Sequence, residues 1–227
     1  MKGKLIVIEG TDCSGKETQT NLLLQRLNQE NIKVEKFSFP NYQSPTGKII
    51  GGPYLGKEHI GEGWFSEGAT NVEPKVAALY YAADRRYNIP KINSLLEQGI
   101  NVILDRYVYS NMAHQGGKIY DTNERMNMYA WLDVLEFKLL ELPKPDVAIF
   151  LHMPYEQAVI LKKNRKESAD QHEMDKEHLQ HAEEAYKELA QTYKWKTIEC
   201  AINDSIKTPN EISEEVYEFV IANLKEL

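Results

Sequence analysis

Cysteine is scarce in this chain of 227 residues: Cys13 and Cys200 are the only two. No disulfide framework follows from two such distant thiols, and a reducing compartment fits them, the cytoplasm by default. Long apolar runs are also missing. Met1-Lys-Gly-Lys4 carries positive charge, but the run behind it, Leu5 to Ile8, stops at Glu9. That is too short for a signal sequence or a membrane span, so neither export nor a membrane partner is expected. Positive charge is in deficit, with 27 Lys and Arg against 34 Asp and Glu, a net charge of -7. Nucleic acid and acidic membrane are therefore poor partners, although one local basic pocket for a small anion stays open. Internal repeats, low-complexity tracts, HExxH and Ser-His-Asp or Cys-His arrangements are absent too. What is present, 42% hydrophobic and 27% charged residues, suits a single domain over 1–227 with a sizeable core.

One stretch organises the rest. Glu9-Gly-Thr-Asp-Cys-Ser-Gly-Lys-Glu-Thr18 follows the apolar run and opens a segment in which Leu22, Leu23 and Leu27 recur at helical spacing. Strand, loop and helix in that order are the context in which Gly10-x-x-x-x-Gly15-Lys16 cradles phosphate: backbone N–H groups curl round the anion and the lysine reaches its outer oxygens. The pattern departs at Glu17, where Ser or Thr is usual; the hydroxyl arrives at Thr18. Cys13 fills a place where a small residue fits and is no catalyst.

Lys33 to Phe39 reads as a second strand, and Asn41 to Gly63 as mostly loop with a short helix near Gly47 to Ile50. A helix begins at Glu73-Pro74 with Val76, Leu79, Tyr80 and Ala83 recurring on one face up to Asn88; Pro90 should break it, leaving a second helix over Lys91 to Gln98 that closes at Gly99. Asn101 to Leu104 is a third strand, Glu124 to Leu142 a long helix with Met128, Trp131, Leu132, Leu135 and Leu139 on one side, and Asp146 to Leu151 a fourth strand. Pro154-Tyr155-Glu156 starts a helix that runs into a charged flap, Lys162 to Asp170, expected to be a mobile lid at about 160–175. Leu179, Ala182, Tyr186, Leu189 and Tyr193 mark a further helix, Thr197 to Ala201 a fifth strand, and Thr208-Pro209 with Glu211 a capped last helix. Alternating strands and helices predict an α/β, three-layer P-loop NTPase fold: five mostly parallel strands with helices on both faces. Ligands in such sheets lie beyond the carboxyl ends of the strands, where the loop after strand one and Asp105-Arg106 after strand three would face one crevice.

Asp105 stands where such folds place the carboxylate that holds magnesium, usually through water. The run Asp105-Arg-Tyr-Val-Tyr-Ser110-Asn-Met-Ala-His-Gln115-Gly116 resembles the signature of the thymidylate kinase family, with His114 in place of an aromatic. Ile8-Glu9-Gly10-x-Asp12, Ser14-Gly15-Lys16, Phe39-Pro40 and the stretch from Tyr81 to Pro90 are similar to the same family, so the resemblance covers nearly the whole chain. It implies transfer of the γ-phosphoryl group of ATP to thymidine monophosphate, with Mg2+ as the cofactor and a homodimer as the assembly.

Carried over by residue, the resemblance assigns catalysis to Lys16, Arg106, Asp105 and Asp12. ATP would be held by Gly10, Thr11, Asp12, Cys13, Ser14, Gly15, Lys16, Glu17 and Thr18, with Lys162 and Lys166 from the flap. The acceptor would meet Asp12, Phe39, Pro40, Tyr81, Arg85, Arg106, Tyr107, Ser110 and Gln115, with Tyr81 stacking on the base and Arg85 donating to its O4. The arginine that the family usually carries after Phe39-Pro40 is absent from Asn41-Tyr42-Gln43. Two other readings stay open: a kinase for another pyrimidine monophosphate, and a nucleotide-binding sensor that has lost transfer. His172, His178 and His181 lack a recognised metal-ligand spacing and are read as part of an acidic, solvated segment.

Overall fold

The computed structural model describes residues 2–162, 175–203 and 205–225. Five parallel strands form the central sheet in the order β2-β3-β1-β4-β5: β1 (Leu5–Gly10), β2 (Val34–Ser38), β3 (Asn101–Asp105), β4 (Val147–His152) and β5 (Lys196–Glu199). Period-two alternation sends neighbouring side chains of β1 to opposite layers. Leu5 and Val7 join the core beneath α3 (Pro74–Glu97), α4 (Val108–Gly116), α5 (Thr122–Asp133) and α7 (Lys176–Tyr193). Ile6 and Ile8 join the core beneath α1 (Lys16–Gln29) and α8 (Pro209–Lys225). Both faces are thus covered, as a parallel sheet requires, and each fully buried aliphatic side chain contributes about 1.5–3 kcal/mol. A short hairpin, β6 (Ala201–Ile202) with β7 (Ser205–Ile206), precedes α8. The expected capping box holds: Thr208 N–H donates to Glu211 Oε2 at 2.7 Å and Glu211 N–H to Thr208 Oγ1 at 3.3 Å.

Three local expectations are corrected. The stretch after Pro40 is more helical than its glycines and prolines implied, with α2 (Pro45–Ile49) running into a π-helical turn over Ile50–Tyr54. That turn carries its own apolar cluster of Ile50, Tyr54, Leu55, Ala69, Val72 and Ala77. Pro90 does not break α3, which is continuous. A proline inside a helix costs about 3 kcal/mol, and Ile89, Ile92 and Leu96 are all buried on the same helix, enough at about 1.5–3 kcal/mol each to hold it together. Gly99 ends the segment in the left-handed region, φ +75°.

The apolar stripe of α3 lies on its outer side: Val76 and Leu79 are exposed by 43% and 50%, while Ala77, Ala78 and Ala82 face the core. Small residues let α3 approach α4 closely, and the larger ones point outward. In the long helix, α5 widens into a π-helical turn over Val134–Leu139. The wider turn shifts the helical phase, so that Leu139 is exposed and Glu136 lies inside.

Candidate active site

Two strand ends build the site. β1 pairs with β4, Gly10 opposite Leu151, and a Cβ on Gly10 would stand 2.5 Å from Ser14 Oγ and 2.7 Å from Leu151 O. Only glycine lets the chain leave the sheet there. Cys13 (φ +56°) and Gly15 (φ +77°) then curl the loop into α1. Thr11 Oγ1 donates to Met153 O at 2.8 Å and accepts from Met153 N–H at 2.9 Å, which ties the loop to the end of β4. Ser14 Oγ closes the turn by donating to Thr11 O at 2.8 Å.

Lys16 is buried and donates to the loop's own carbonyls, Gly10 O at 2.9 Å and Thr11 O at 2.7 Å. Burial lowers its pKa to about 8, and repulsion from Arg106 works in the same direction. Glu17 and Thr18 are exposed on the first turn of α1.

The second strand end, β3, delivers Asp105, which is buried, and then Arg106 in the left-handed region at φ +67°. Arg106 donates to Ser110 Oγ at 3.3 Å and Tyr186 Oη at 3.2 Å, and its guanidinium lies 3.7 Å from Asp12 Oδ1. The other oxygen of Asp12 is 3.0 Å from Lys162 Nζ. Burial would raise the Asp12 pKa, yet the charges of Lys16, Arg106 and Lys162 together lower it. Two distant motifs and the end of α6 (Tyr155–Lys162) therefore converge on one carboxylate.

Glu9, an element of the motif to which no role fell from the sequence, turns out to hold the second strand end in place. Its carboxylate accepts from Tyr107 N–H at 2.8 Å, Ser110 N–H at 3.1 Å, Ser110 Oγ at 2.5 Å and Tyr186 Oη at 3.3 Å. These contacts fix the turn that aims Arg106 and satisfy the first N–H groups of α4, which has no capping side chain of its own. Burial raises the Glu9 pKa against these hydrogen bonds and the Arg106 charge.

Two cavities open on either side of Asp12. One is lined by Phe39, Pro40, Tyr42, Tyr81, Arg85, Arg106, Tyr107, Ser110, Asn111 and Gln115 among others. The other lies between the loop, α6 and α7 and is lined by Thr11, Tyr155, Lys162, Glu183 and Tyr186 among others. Asp12, His114 and Leu179 line both.

In the first cavity Tyr81 is partly buried, its ring edge-on to Tyr54 with centroids 5.7 Å apart. Arg85 is buried, whereas Arg86 is half exposed. Arg85 forms a two-pronged pair with Glu136, Nε to Oε2 and Nη2 to Oε1 at 2.6 Å, and donates from Nη1 to Tyr107 O at 3.4 Å. Asn111 also donates to Glu136, at 3.0 Å. Both amide atoms of Gln115 and the Asn111 Oδ1 are buried without a hydrogen-bond partner.

The described sequence-derived site residues lie at this crevice or on the loop beneath it, apart from Glu17 and Thr18, which are exposed on the first turn of α1; Lys166 and the body of the flap fall outside the described residues. The reading of the histidine segment as solvated is corrected at His178, which is buried and stacks on His114 with Nε2 3.2 Å from its Nδ1. Glu136, Asn111 and Tyr186 were not singled out for the site. A glutamate in a helix otherwise rich in apolar residues is the only sign Glu136 gave.

A parallel sheet with a phosphate-cradling loop after β1, an Asp-Arg pair after β3 and a cavity beside them defines a P-loop nucleotide kinase. Comparison with known proteins narrows the class. A family model described as Thymidylate kinase matches residues 8–212. The thymidylate kinase of Plasmodium falciparum is 32% identical over 224 residues, 96% of this chain and 95% of that protein. That of Danio rerio is 30% identical over 220 residues, 95% and 92% of the two. The solved structure of the Candida albicans thymidylate kinase superposes with a TM-score of 0.75 at 26% identity, covering 98% of this chain and 93% of that one. The chain belongs to the thymidylate kinase family.

Proposed function

We propose that this protein phosphorylates thymidine 5′-monophosphate to the diphosphate with ATP, and that the two strand-end motifs hold the reacting groups. The observation that carries the reading is the meeting of Lys16, Arg106 and Lys162 around Asp12 at the boundary of the two cavities. A phosphoryl transfer of this kind needs positioning and charge neutralisation rather than a covalent intermediate. An oxygen of the acceptor phosphate attacks the γ-phosphorus, the bond to the bridging oxygen breaks, and ADP leaves.

In this reading the backbone from Gly10 to Thr18 and Lys16 grip the ATP phosphates. Lys16 exchanges backbone carbonyls for phosphate oxygens, a stronger, charge-assisted partnership. Arg106 bridges donor and acceptor phosphates, Asp12 accepts from the acceptor's 3′-hydroxyl, and Tyr81 stacks on the base between Phe39-Pro40 and Tyr107. Arg85 is held rigid by Glu136, so its remaining N–H groups point in fixed directions. They donate to a base oxygen such as O4 of thymine and oppose an amino group at that place, which disfavours cytosine. The unpaired amide of Gln115 offers both a donor and an acceptor to the base edge.

Magnesium fits the donor set. Mg2+ keeps several waters and takes one or two carboxylates plus substrate phosphates. Asp105 is a single buried carboxylate whose charge acts on Lys16 and Arg106, while the described residues contain no cluster of three metal-ligating side chains. Asp105 would hold the ion, through water, and the ion would neutralise phosphate charge.

A homodimer is part of the proposal. Val76 and Leu79 on α3, Met126 on α5, and Val134 and Leu139 on the π-helical turn are exposed apolar side chains on the helices that a second copy would cover. Light scattering coupled to gel filtration tests this. Cytoplasmic residence is supported by the scarcity of cysteine, with Cys13 and Cys200 in no disulfide among the described residues; no helix among the described residues is long and apolar enough to cross a membrane.

The deciding experiment is an ADP-release assay with ATP and each nucleoside monophosphate in turn. Turnover is expected to be greatest with thymidine monophosphate. Turnover with another pyrimidine alone would reassign the acceptor, and ATP binding without transfer to any acceptor would make the protein a sensor.

A further inference from the structure

One buried polar junction outside the residues assigned above joins four elements of the fold. Glu183 of α7 accepts from the Tyr155 N–H, the first of α6, at 2.9 Å through one oxygen. Its other oxygen takes His152 Nε2 at 2.8 Å and Lys187 Nζ at 2.6 Å. His152, at the end of β4, is itself closed off on Nδ1 by Glu199 of β5 at 2.6 Å. The side chains of His152 and Glu183 are only 10% and 11% exposed.

Helix α6 needs such a partner. Pro154, just before it, has no N–H to give, and the first N–H groups of a helix find no acceptor within it. A carboxylate placed there also suits the positive end of the helix dipole. With eight residues the helix is a rod about 12 Å long. Its far end carries Lys162, whose ammonium is 3.0 Å from Asp12 Oδ2. Fixing where α6 begins therefore fixes where Lys162 arrives.

We propose that Glu183, clamped by His152, is a positioning residue of the kinase: it anchors the start of α6 and through that helix sets Lys162 against Asp12. The inference rests on the kinase reading above and adds to it a residue that touches neither reacting group. The charge states agree with the geometry. Burial works against a charged His152, but the hydrogen bonds to Glu183 and Glu199 raise its pKa. Burial likewise opposes a charged Glu183, and the bonds from His152 and Lys187 lower its pKa. Both shifts favour the charged forms of the pair.

A double-mutant cycle tests the idea. Glu183→Gln, Lys162→Met and the double variant are compared for kcat and for KM of ATP and thymidine monophosphate. Glu183→Gln is expected to lower kcat about tenfold, less than the roughly hundredfold that a full ångström of misplacement can cost, with the acceptor KM within about twofold of wild type. Because both residues act through one contact, the double variant should be no slower than Lys162→Met alone.

Losses that multiply in the double variant, or a Glu183→Gln protein with lowered Tm and unchanged kcat, would overturn the proposal and leave Glu183 a purely structural residue. Should Glu183→Gln fail to fold, His152→Gln removes the clamp alone; a smaller kcat loss with the same non-additivity supports the proposal, and an additive one overturns it. A wild-type protein that transfers nothing to thymidine monophosphate would sink the kinase reading itself, which is a separate result.

Discussion

The phosphate loop and the cavity beside it hold buried charge by opposite means. Lys16 has backbone carbonyls as its hydrogen-bond acceptors, with carboxylates acting only at longer range, so its cation is left available to an incoming polyanion. Arg85 faces a carboxylate in a fixed two-pronged pair, and what it presents to the cavity is direction more than charge. A site that recruits phosphates benefits from the first arrangement, and a site that reads the edge of a neutral base from the second.

Breaking the loosely held cation should have the largest effect. Lys16→Ala is expected to slow phosphoryl transfer about 10²- to 10³-fold with an unchanged circular dichroism spectrum; a loss below tenfold would remove the contrast. The rigid pair should answer instead in stability. Glu136→Ala leaves Arg85 buried and uncompensated, and urea unfolding should show a loss of about 3–5 kcal/mol.

Gln115→Leu sharpens the comparison from the other side. Its amide atoms lack partners among the described residues, and on the proposed reading they meet the base, so the variant should raise the acceptor KM about tenfold, the scale of one or two lost hydrogen bonds. The KM for ATP should stay constant, and Tm should hold or rise, since an unsatisfied polar group has been removed.

Acidity gives a subtler test. Lys16 is charged in the free protein below about pH 8, so kcat/KM for ATP should decline as pH rises through that value. Its folded pKa lies below the ordinary 10.5; the folded state therefore binds fewer protons between the two values, and this group's contribution to stability rises with pH across that window. Activity and stability should move in opposite directions there, as paired pH titrations of rate and Tm would reveal. Away from the crevice, Thr208→Ala should lower Tm by only about 2 °C through loss of the helix cap, with transfer unaltered.

What the chain disclosed in advance follows the same division. The loop from Gly10 to Thr18 and the run from Asp105 to Gln115 are contiguous, and local spacing carries their chemistry. Glu9 lies 98 and 101 residues from the backbone groups it holds, and Glu136 lies 51 from Arg85. No local periodicity encodes partners at such distances; they appear only once the fold brings β1 beside β3 and α3 beside the π-helical turn after α5.

On α3 the large apolar Val76 and Leu79 point outward, and Ala77, Ala78 and Ala82 face the core. Pro90 misled because its local cost is outweighed by Ile89, Ile92 and Leu96, whose burial is a tertiary matter.

Asp12, His114 and Leu179 form a party wall, each with a surface in both chambers. Enlarging or trimming any of them remodels two rooms at once. Efforts to widen the range of acceptors by carving at His114 will therefore register next door as well, and a variant library aimed at one guest should be screened against both.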